Sequence, residues 1–190
     1  MNAFHRRYCA SPGWAQHVEQ RLLPWALSGV DLGDDVLEIG PGFGVTTRLL
    51  TDRVPRLTVL EVDDGYAARL RKELAGPVEV VSGDGTAMPF GDGRFSAVVC
   101  FTMLHHVPSP RLQDRLFAEA CRVLRGGGVF AGSDSQPSWR FRLIHLFDTM
   151  IIVDPETLPG RLTAAGFTAP RVEVDGPVRF RAAKPASAAI

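Results

Sequence analysis

Apolar, β-branched runs alternate with amphipathic stretches along most of this chain of 190 residues. Such alternation is typical of a parallel β-sheet covered by helices, and nearly continuous apolar runs indicate strands buried on both faces. Only Asp175-Gly176-Pro177 separates the last two runs, so they are expected to pair antiparallel, with the seventh strand running against the others. The predicted strands are residues 36–39, 57–61, 78–82, 96–101, 128–132, 171–174 and 178–182.

The stretches around these strands carry helical periodicity and helix-start signals. Ser11-Pro12 and Ser109-Pro110 are expected to open helices, the first of them after a short arm at residues 5–8. The other predicted helices are residues 46–53, 66–74, 111–124 and 154–165. No internal repeat is found, so the chain is interpreted as one domain. Its expected parts are a cover at 1–30, a core at 31–133, a lid at 134–153, a C-terminal helix with two strands at 154–185, and a tail at 186–190.

The charge balance restricts the expected partners. The chain has 21 Lys and Arg against 21 Asp and Glu, whereas nucleic-acid binding is driven by an excess of basic charge, so no nucleic-acid partner is expected. Three cysteines at wide, irregular spacing indicate neither a disulfide framework nor a metal site. No apolar leader and no apolar run of membrane-spanning length is found, which predicts a cytoplasmic protein without a membrane partner, as a monomer or homodimer.

The segment V-L-E-I-G-P-G-F-G-V-T-T at residues 36–47 predicts a strand that enters a helix through a glycine-rich turn. Glycines let the backbone turn sharply and approach a ligand at the carboxyl edge of the sheet. Glu61 ends the second strand, where its carboxylate can accept hydrogen bonds from both ribose hydroxyls. Asp84 follows the third strand, where it can accept a hydrogen bond from an adenine amine. Each feature has a simpler explanation: the glycines could form only a tight turn, Glu61 a solvated strand end and Asp84 a helix cap. Their joint placement favours a nucleoside site.

The glycine spacing indicates which kind of nucleoside ligand the site binds. The dinucleotide fingerprint is G-x-G-x-x-G, whereas the turn here reads G-x-G-x-G and follows Glu38, which suits a cationic ligand better than a diphosphate. The chain at this point resembles the class I S-adenosylmethionine-dependent methyltransferases over nearly all of residues 35–184. The motifs that carry the resemblance are V-L-E-I-G-P-G-F-G at 36–44, V-L-E-V-D at 59–63, G-D-G-T-A-M-P-F at 83–90, F-S-A-V-V-C-F-T-M-L-H-H-V at 95–107, V-L-R-G-G-G at 123–128 and A-A-G-F at 164–167.

The resemblance implies an α/β fold, namely a Rossmann-like, doubly wound, seven-stranded and mostly parallel sheet with the last strand antiparallel and helices on both faces, in three layers. It implies S-adenosylmethionine as the methyl donor and S-adenosylhomocysteine as the product. The residues that it assigns to this cofactor are Glu38, Gly40, Gly42, Gly44, Glu61, Val62, Asp84, Gly85, Phe101 and Thr102. The chain departs from the family at Ser96, where relatives commonly carry Asp, and at Arg125-Gly126, where Pro-Gly is frequent; neither is a cofactor position.

Methyl transfer requires an aligned nucleophile and, where that nucleophile is protonated, a base. His105 and His106 follow the fourth strand; His105 is expected in the substrate pocket as a general base, and His106 is expected to be hydrogen-bonded under the next loop. His145 and Asp148 can form an acid–base pair or a surface contact. The other substrate candidates are Tyr8, Trp14, Asp134, Trp139, Arg142 and His145. Since the core uses most of the chain, a small acceptor is expected. The apolar lid face with Arg140 and Arg142 nearby predicts a mainly hydrophobic one that can carry an acidic group, or else packs on the sheet with both arginines solvated.

Three alternatives are kept open. Ribosomal RNA adenine dimethylases share V-L-E-I-G-P-G, but they carry an Asn-Pro-Pro-aromatic tetrad where this chain reads F-T-M-L-H at residues 101–105, so base methylation is disfavoured. A protein that binds the cofactor without transferring its methyl group, and acts in rearrangement, cyclisation or sensing, would keep the same cofactor residues. A nicotinamide dehydrogenase is disfavoured by the glycine spacing.

Overall fold

The computed structural model describes residues 2–74, 76, 78–139 and 148–186, without the side chains of residues 3 and 4. Within these residues seven strands form one sheet in the order β3-β2-β1-β4-β5-β7-β6. β7 is antiparallel to both of its neighbours and the other pairings are parallel, as predicted. The strands are β1 Asp35–Ile39, β2 Arg56–Glu61, β3 Val78–Ser82, β4 Phe95–Phe101, β5 Leu124–Asp134, β6 Thr168–Val174 and β7 Val178–Ala183.

The helices follow the predicted order, with three differences in detail. The short arm is helical, because the Asn2 side chain accepts a hydrogen bond from the backbone N–H of His5 and caps the first turn. The predicted helix at 154–165 begins only at Leu158, after a turn in which Asp154 accepts from the N–H of Glu156. The cover also contains a π-helical turn at Val18–Leu22. The α-helices are α1 Ala3–Cys9, α2 Pro12–His17, α3 Leu23–Ala26, α4 Val45–Thr51, α5 Asp64–Glu73, α6 Pro110–Val123 and α7 Leu158–Ala164, and a 3₁₀ turn spans Leu104–His106.

Strand side chains alternate between two separate apolar cores, one on each face of the sheet. The first core joins the sheet to α6 and α7 and includes Leu37, Val98 and Phe130. The second joins it to the N-terminal cover and α4 and includes Val36 and Val99. Glu38 and Glu61 fall on the second face by this alternation, so the cover helices lie over the carboxylates predicted to bind a ligand.

The sheet order places a crevice where ligands bind in such folds. β1 connects to β2 on one side and β4 connects to β5 on the other, so the loops that leave the carboxyl ends of the neighbouring strands β1 and β4 diverge. The turn after β1 is tied to β2 by a hydrogen bond of 2.9 Å from the Gly40 N–H to the Leu60 carbonyl. None of the helices in the described parts of the chain combines the length and the apolar character needed to cross a membrane.

Candidate active site

The backbone of the turn between β1 and α4 requires glycine at two positions. Gly42 and Gly44 have φ angles of +53° and +71°, in the left-handed region that residues with a Cβ avoid. Gly44 is the N-cap of α4, and a Cβ there would approach Leu70 to 2.6 Å. A Cβ at Gly42 would meet no atom within 4 Å, so the turn leaves open space at this position. The predicted strand, turn and helix are therefore present, with the turn bordering a cavity.

The cavity has a volume of about 320 Å³ and lies between this turn, the ends of β2 and β4, and the cover helices. Its wall at the β2 end is acidic and aromatic, and its wall at the β4 end carries hydroxyl, thioether and imidazole groups. The described residues that line it are His5, Cys9, Trp14, Val18, Leu22, Gly40, Pro41, Gly42, Phe43, Val45, Thr46, Glu61, Val62, Asp63, Tyr66, Phe101, Thr102, Met103, His106 and Thr149. No Lys or Arg belongs to this described lining.

Glu61 connects the glycine turn to the end of β2. It is buried, and its two carboxylate oxygens accept hydrogen bonds from the N–H groups of Gly42 at 2.9 Å and Asp63 at 3.0 Å. Each oxygen has a second lone pair, so the carboxylate can also accept from a ligand hydroxyl in the cavity. The next side chain, Val62, is 71% exposed and lines the same wall. An acceptor for ribose hydroxyls beside an exposed apolar surface for a base fits the adenosine part of S-adenosylmethionine.

Asp84 and Gly85 lie beside this region and do not line the cavity in the described structure. The Asp84 side chain is exposed, and one oxygen accepts from the N–H of Thr86 at 2.8 Å. A Cβ at Gly85 would come within 3.1 Å of Ile39 and Leu116, so this glycine allows close packing against the first core. Their predicted contact with adenine stays a prediction.

Replacing Asp84 by alanine is expected to weaken the binding of S-adenosylhomocysteine about fivefold, because an exposed carboxylate contributes one hydrogen bond of about 1 kcal/mol. Isothermal titration calorimetry at constant salt measures this change. Asp92→Ala, which removes another exposed carboxylate after β3, is the matched control and should bind as the wild type does. Equal affinity of Asp84→Ala and the control would contradict the adenine contact.

Glu38 is a buried carboxyl directly under the glycine turn. It accepts hydrogen bonds from the hydroxyls of Thr46 and Thr47, the latter at 2.6 Å. Burial raises the pKa of Glu38 to about 7, against the two threonine hydrogen bonds and with a smaller upward contribution from the Glu61 charge. The group therefore titrates near neutral pH and can take a negative charge when a cationic ligand enters the cavity.

Replacing Glu38 by glutamine is expected to raise the free energy of unfolding by about 1–2 kcal/mol at about pH 8 and to leave it nearly unchanged at about pH 5. The pKa of Glu38 is raised from 4.5 to about 7 on folding, so the folded protein holds a proton that the unfolded chain releases in that range. Stability consequently falls as pH rises through this window, and the neutral amide removes that loss. Urea unfolding across the window measures it; a parallel pH dependence in both proteins would contradict the assignment.

The two histidines after β4 occupy the opposite positions from those expected. His105 is 2% exposed and lies outside the cavity wall; its backbone N–H and its Nδ1 bond to Asp134 at 2.8 and 2.5 Å. Asp134 is fully buried, also accepts from the N–H of Ser135, and is likewise absent from the cavity wall. His106 lines the cavity instead. The cause is the 3₁₀ turn, whose tight winding directs successive side chains about a third of a turn apart.

The remaining substrate candidates are only partly brought together. Trp14 lines the cavity, whereas Tyr8 and Trp139 are 43% and 72% exposed and do not. Arg142 and His145 lie outside the described residues. Phe101 and Thr102 line the wall as the resemblance implies, and Thr102 has a φ of +50°, an uncommon conformation for a residue with a Cβ.

The sequence reasoning missed His5. This buried histidine of α1 lines the cavity, and its ring centroid lies 5.2 Å from that of His106. Its Nδ1 lies 3.2 Å from Oδ2 of Asp148. The sequence had instead predicted a pair between Asp148 and His145, and His145 lies outside the described residues. The Asn2 cap and the helical spacing to Cys9 are the only local signals, and both indicate a helix rather than a site.

Comparison with known proteins extends this description. Residues 37–132 match the family described as a methyltransferase domain. The chain is 38% identical over 151 residues to ribosomal RNA small subunit methyltransferase A of Bordetella pertussis, covering 70% of this chain and 56% of that protein. It is 33% identical over 138 residues to malonyl-[acyl-carrier protein] O-methyltransferase of Geobacter sulfurreducens, covering 68% and 50%. It thus spans about half the length of these two relatives.

A solved structure shares the fold across the whole described sheet. The Haloferax volcanii methyltransferase in complex with the Trm112 activator superposes with a TM-score of 0.76 at 17% identity, over 97% of this chain and 99% of that one. At this level of identity the likeness concerns the arrangement of the strands and helices.

Proposed function

Since this chain belongs to the methyltransferase domain family, among the class I S-adenosylmethionine-dependent methyltransferases, we propose that it transfers the methyl group of S-adenosylmethionine to a mainly apolar small molecule. One observation carries the proposal: an adenosine-type wall formed by Glu61 and Val62 and an apolar wall formed by Trp14, Leu22 and Phe101 border one covered cavity. The donor and the acceptor would therefore meet in one cavity.

S-adenosylmethionine supplies an already activated methyl group, so the chain has to bind, align and exclude water. Glu61 and the glycine turn would hold the adenosine and methionine parts, and Val62 would cover the base. Glu38 supplies a carboxyl under the turn that is close to its titration point. The cover helices α1 and α2 line the opposite side, which limits the access of solvent to the reacting atoms.

Methylation of RNA is the alternative function, because the Bordetella pertussis relative is named a ribosomal RNA methyltransferase. Two features argue against it here. The chain carries no net charge, and the described lining of the cavity has no Lys or Arg to bind a phosphate backbone. The chain after β4 also lacks the residues by which such enzymes stack an extruded base.

The test is release of S-adenosylhomocysteine from S-adenosylmethionine in the presence of three sets of acceptors: small aromatic alcohols, amines and thiols; total RNA; and no acceptor. Labelled small products with one equivalent of S-adenosylhomocysteine support the proposal. Salt-sensitive labelling of RNA alone supports RNA methylation, and a rearranged product without S-adenosylhomocysteine indicates a cofactor-binding protein of another activity. Thermal stabilisation by NAD but not by S-adenosylhomocysteine would revive a dehydrogenase.

A further inference from the structure

His5 and Asp148 join the N-terminal cover to the segment before α7, beside the cavity. His5 belongs to α1, and Asp148 is the first described residue after the segment 140–147, so the pair links positions 143 residues apart. Their side chains are 6% and 8% exposed. The same Asp148 oxygen accepts the backbone N–H of Asn2 at 3.0 Å, which fixes the start of α1. His5 and Thr149 both line the wall next to Thr102 and His106.

The hydrogen bonds define the protonation state of this pair. Burial by itself would raise the pKa of the Asp148 carboxyl, but the hydrogen bonds from Asn2 and His5 outweigh it and hold that pKa below its ordinary value. The carboxylate can only accept, so Nδ1 of His5 carries the hydrogen, and Nε2 is then the basic nitrogen of the ring. Burial lowers the pKa of His5 although Asp148 opposes the shift, so the ring is neutral at pH 7.

We propose that His5, oriented by Asp148, is the base that takes the proton from a phenolic hydroxyl acceptor bound in the cavity. The inference rests on the proposed methyl transfer and adds to it the acceptor class and the base. His105 is held outside the cavity by Asp134, and burial raises the pKa of the Cys9 thiol to about 11, which keeps it protonated. His5, in contrast, lines the cavity as a neutral imidazole whose Nδ1 is bonded to a carboxylate, as a general base requires.

The chemistry selects the acceptor. A neutral amine is nucleophilic without losing a proton first, and an aliphatic hydroxyl is far too weak an acid for imidazole. A phenol has a pKa of about 10, within about four pKa units of an ordinary imidazole, so partial proton transfer to a base assists its attack. The apolar wall with Trp14 and Phe101 suits an aromatic ring.

The step balances as follows. The phenolic oxygen forms its bond to the methyl carbon with a lone pair, the bond from that carbon to sulfur breaks, and its electron pair remains on sulfur as a neutral thioether. The phenolic proton passes to Nε2 of His5. The positive charge of the sulfonium thus ends on the imidazolium, where Asp148 stabilises it until the proton reaches solvent. Asp148 acts through His5 and is a positioning residue.

The experiment compares two phenols at about pH 8. 4-Methylphenol is protonated there and needs a base, whereas 4-nitrophenol is largely ionised and does not. His5→Gln is expected to lower kcat with 4-methylphenol at least about 100-fold and to change kcat with 4-nitrophenol less than about threefold. Arg7→Gln, at an exposed position of the same helix as His5, is the matched control and should behave as the wild type does. The affinity for S-adenosylhomocysteine, measured by calorimetry, should be equal in all three proteins.

Asp148→Asn provides the second readout. Within the described structure, the groups that act on His5 include Asp148, His105, the amino terminus and the neighbouring ring of His106. Because Asp148 raises the pKa of His5, the asparagine variant should move the acidic limb of the kcat profile with 4-methylphenol to lower pH and lower its plateau. A purely structural role would reduce the rate without moving this limb.

The other outcomes are separable. Equal losses with both phenols, or no loss with either, overturn His5 as the base. Turnover of amines or thiols without turnover of any phenol overturns the inference and leaves the proposed methyl transfer intact. Normal binding of S-adenosylhomocysteine without its release from S-adenosylmethionine for any acceptor overturns the proposed function itself.

Discussion

Replacing Asp134 by alanine is expected to lower the free energy of unfolding by about 3–5 kcal/mol. The carboxylate is fully buried and accepts three N–H groups, two from His105 and one from Ser135. Alanine would leave these donors buried without an acceptor and would open a cavity beside the first core. Urea unfolding followed by tryptophan fluorescence at pH 7 measures the loss, and the reduced midpoint should come with an unchanged slope.

Two further variants show whether that loss of stability comes from the buried hydrogen bonds of Asp134. Asp134→Asn keeps one carbonyl oxygen but directs an amide donor at existing donors, so an intermediate loss of about 1–3 kcal/mol is expected. Asp175→Ala removes an exposed carboxylate in the turn between β6 and β7 and should change stability by less than about 0.5 kcal/mol. A loss for Asp134→Ala no greater than that of this control would mean that Asp134 does not hold the turn that carries His106.

Replacing Glu61 by alanine is expected to weaken the binding of S-adenosylhomocysteine by about 2–3 kcal/mol, or about 30- to 150-fold. The variant loses the carboxylate predicted to accept the ribose hydroxyls, and it also releases the N–H groups of Gly42 and Asp63 that the carboxylate holds. Both effects act on the ligand, since the second lets the glycine turn leave its bound geometry. Calorimetric titration of the folded variant provides the affinity.

Glu61→Gln separates the two contributions. It keeps an oxygen that can hold one of the two N–H groups but lacks the charge, so its affinity should fall between those of the wild type and Glu61→Ala. Glu156→Ala, at an exposed position before α7, is the matched control. If the alanine and control variants bind S-adenosylhomocysteine equally well, the ribose is held by other groups.

Local sequence predicted those parts of the molecule that local physics determines. The central strands β1, β2 and β4 were identifiable because a strand buried on both faces must be largely apolar, as at 97–100 in β4. The glycine turn was identifiable because Gly42 and Gly44 adopt backbone angles that residues with a Cβ rarely adopt. Glu61 followed from its place at the end of β2, since parallel strands bring their carboxyl ends to one edge.

The same sequence patterns did not predict the direction of side chains or the contacts between residues far apart in the chain. His105 and His106 are adjacent and chemically identical, and only the 3₁₀ turn and the position of Asp134 decide which of them reaches the cavity. Asp148 pairs with His5, and no periodicity connects residues so far apart. The helix after residue 154 started late because Asp154 caps a turn, an outcome that a capping signal alone does not distinguish from a helix start.

The link between α1 and Asp148 also affects the order in which the molecule assembles. During synthesis α1 is made before its partner Asp148, which follows His5 by 143 residues. Closing so long a loop costs more chain entropy than forming the neighbouring strand pairs, so this contact has a high sequence separation and belongs to the late steps of folding. The nucleoside half of the site, built from β1, β2 and their turns, can therefore mature while the acceptor half is still open, and a nascent chain should acquire affinity for S-adenosylhomocysteine before it can retain an acceptor.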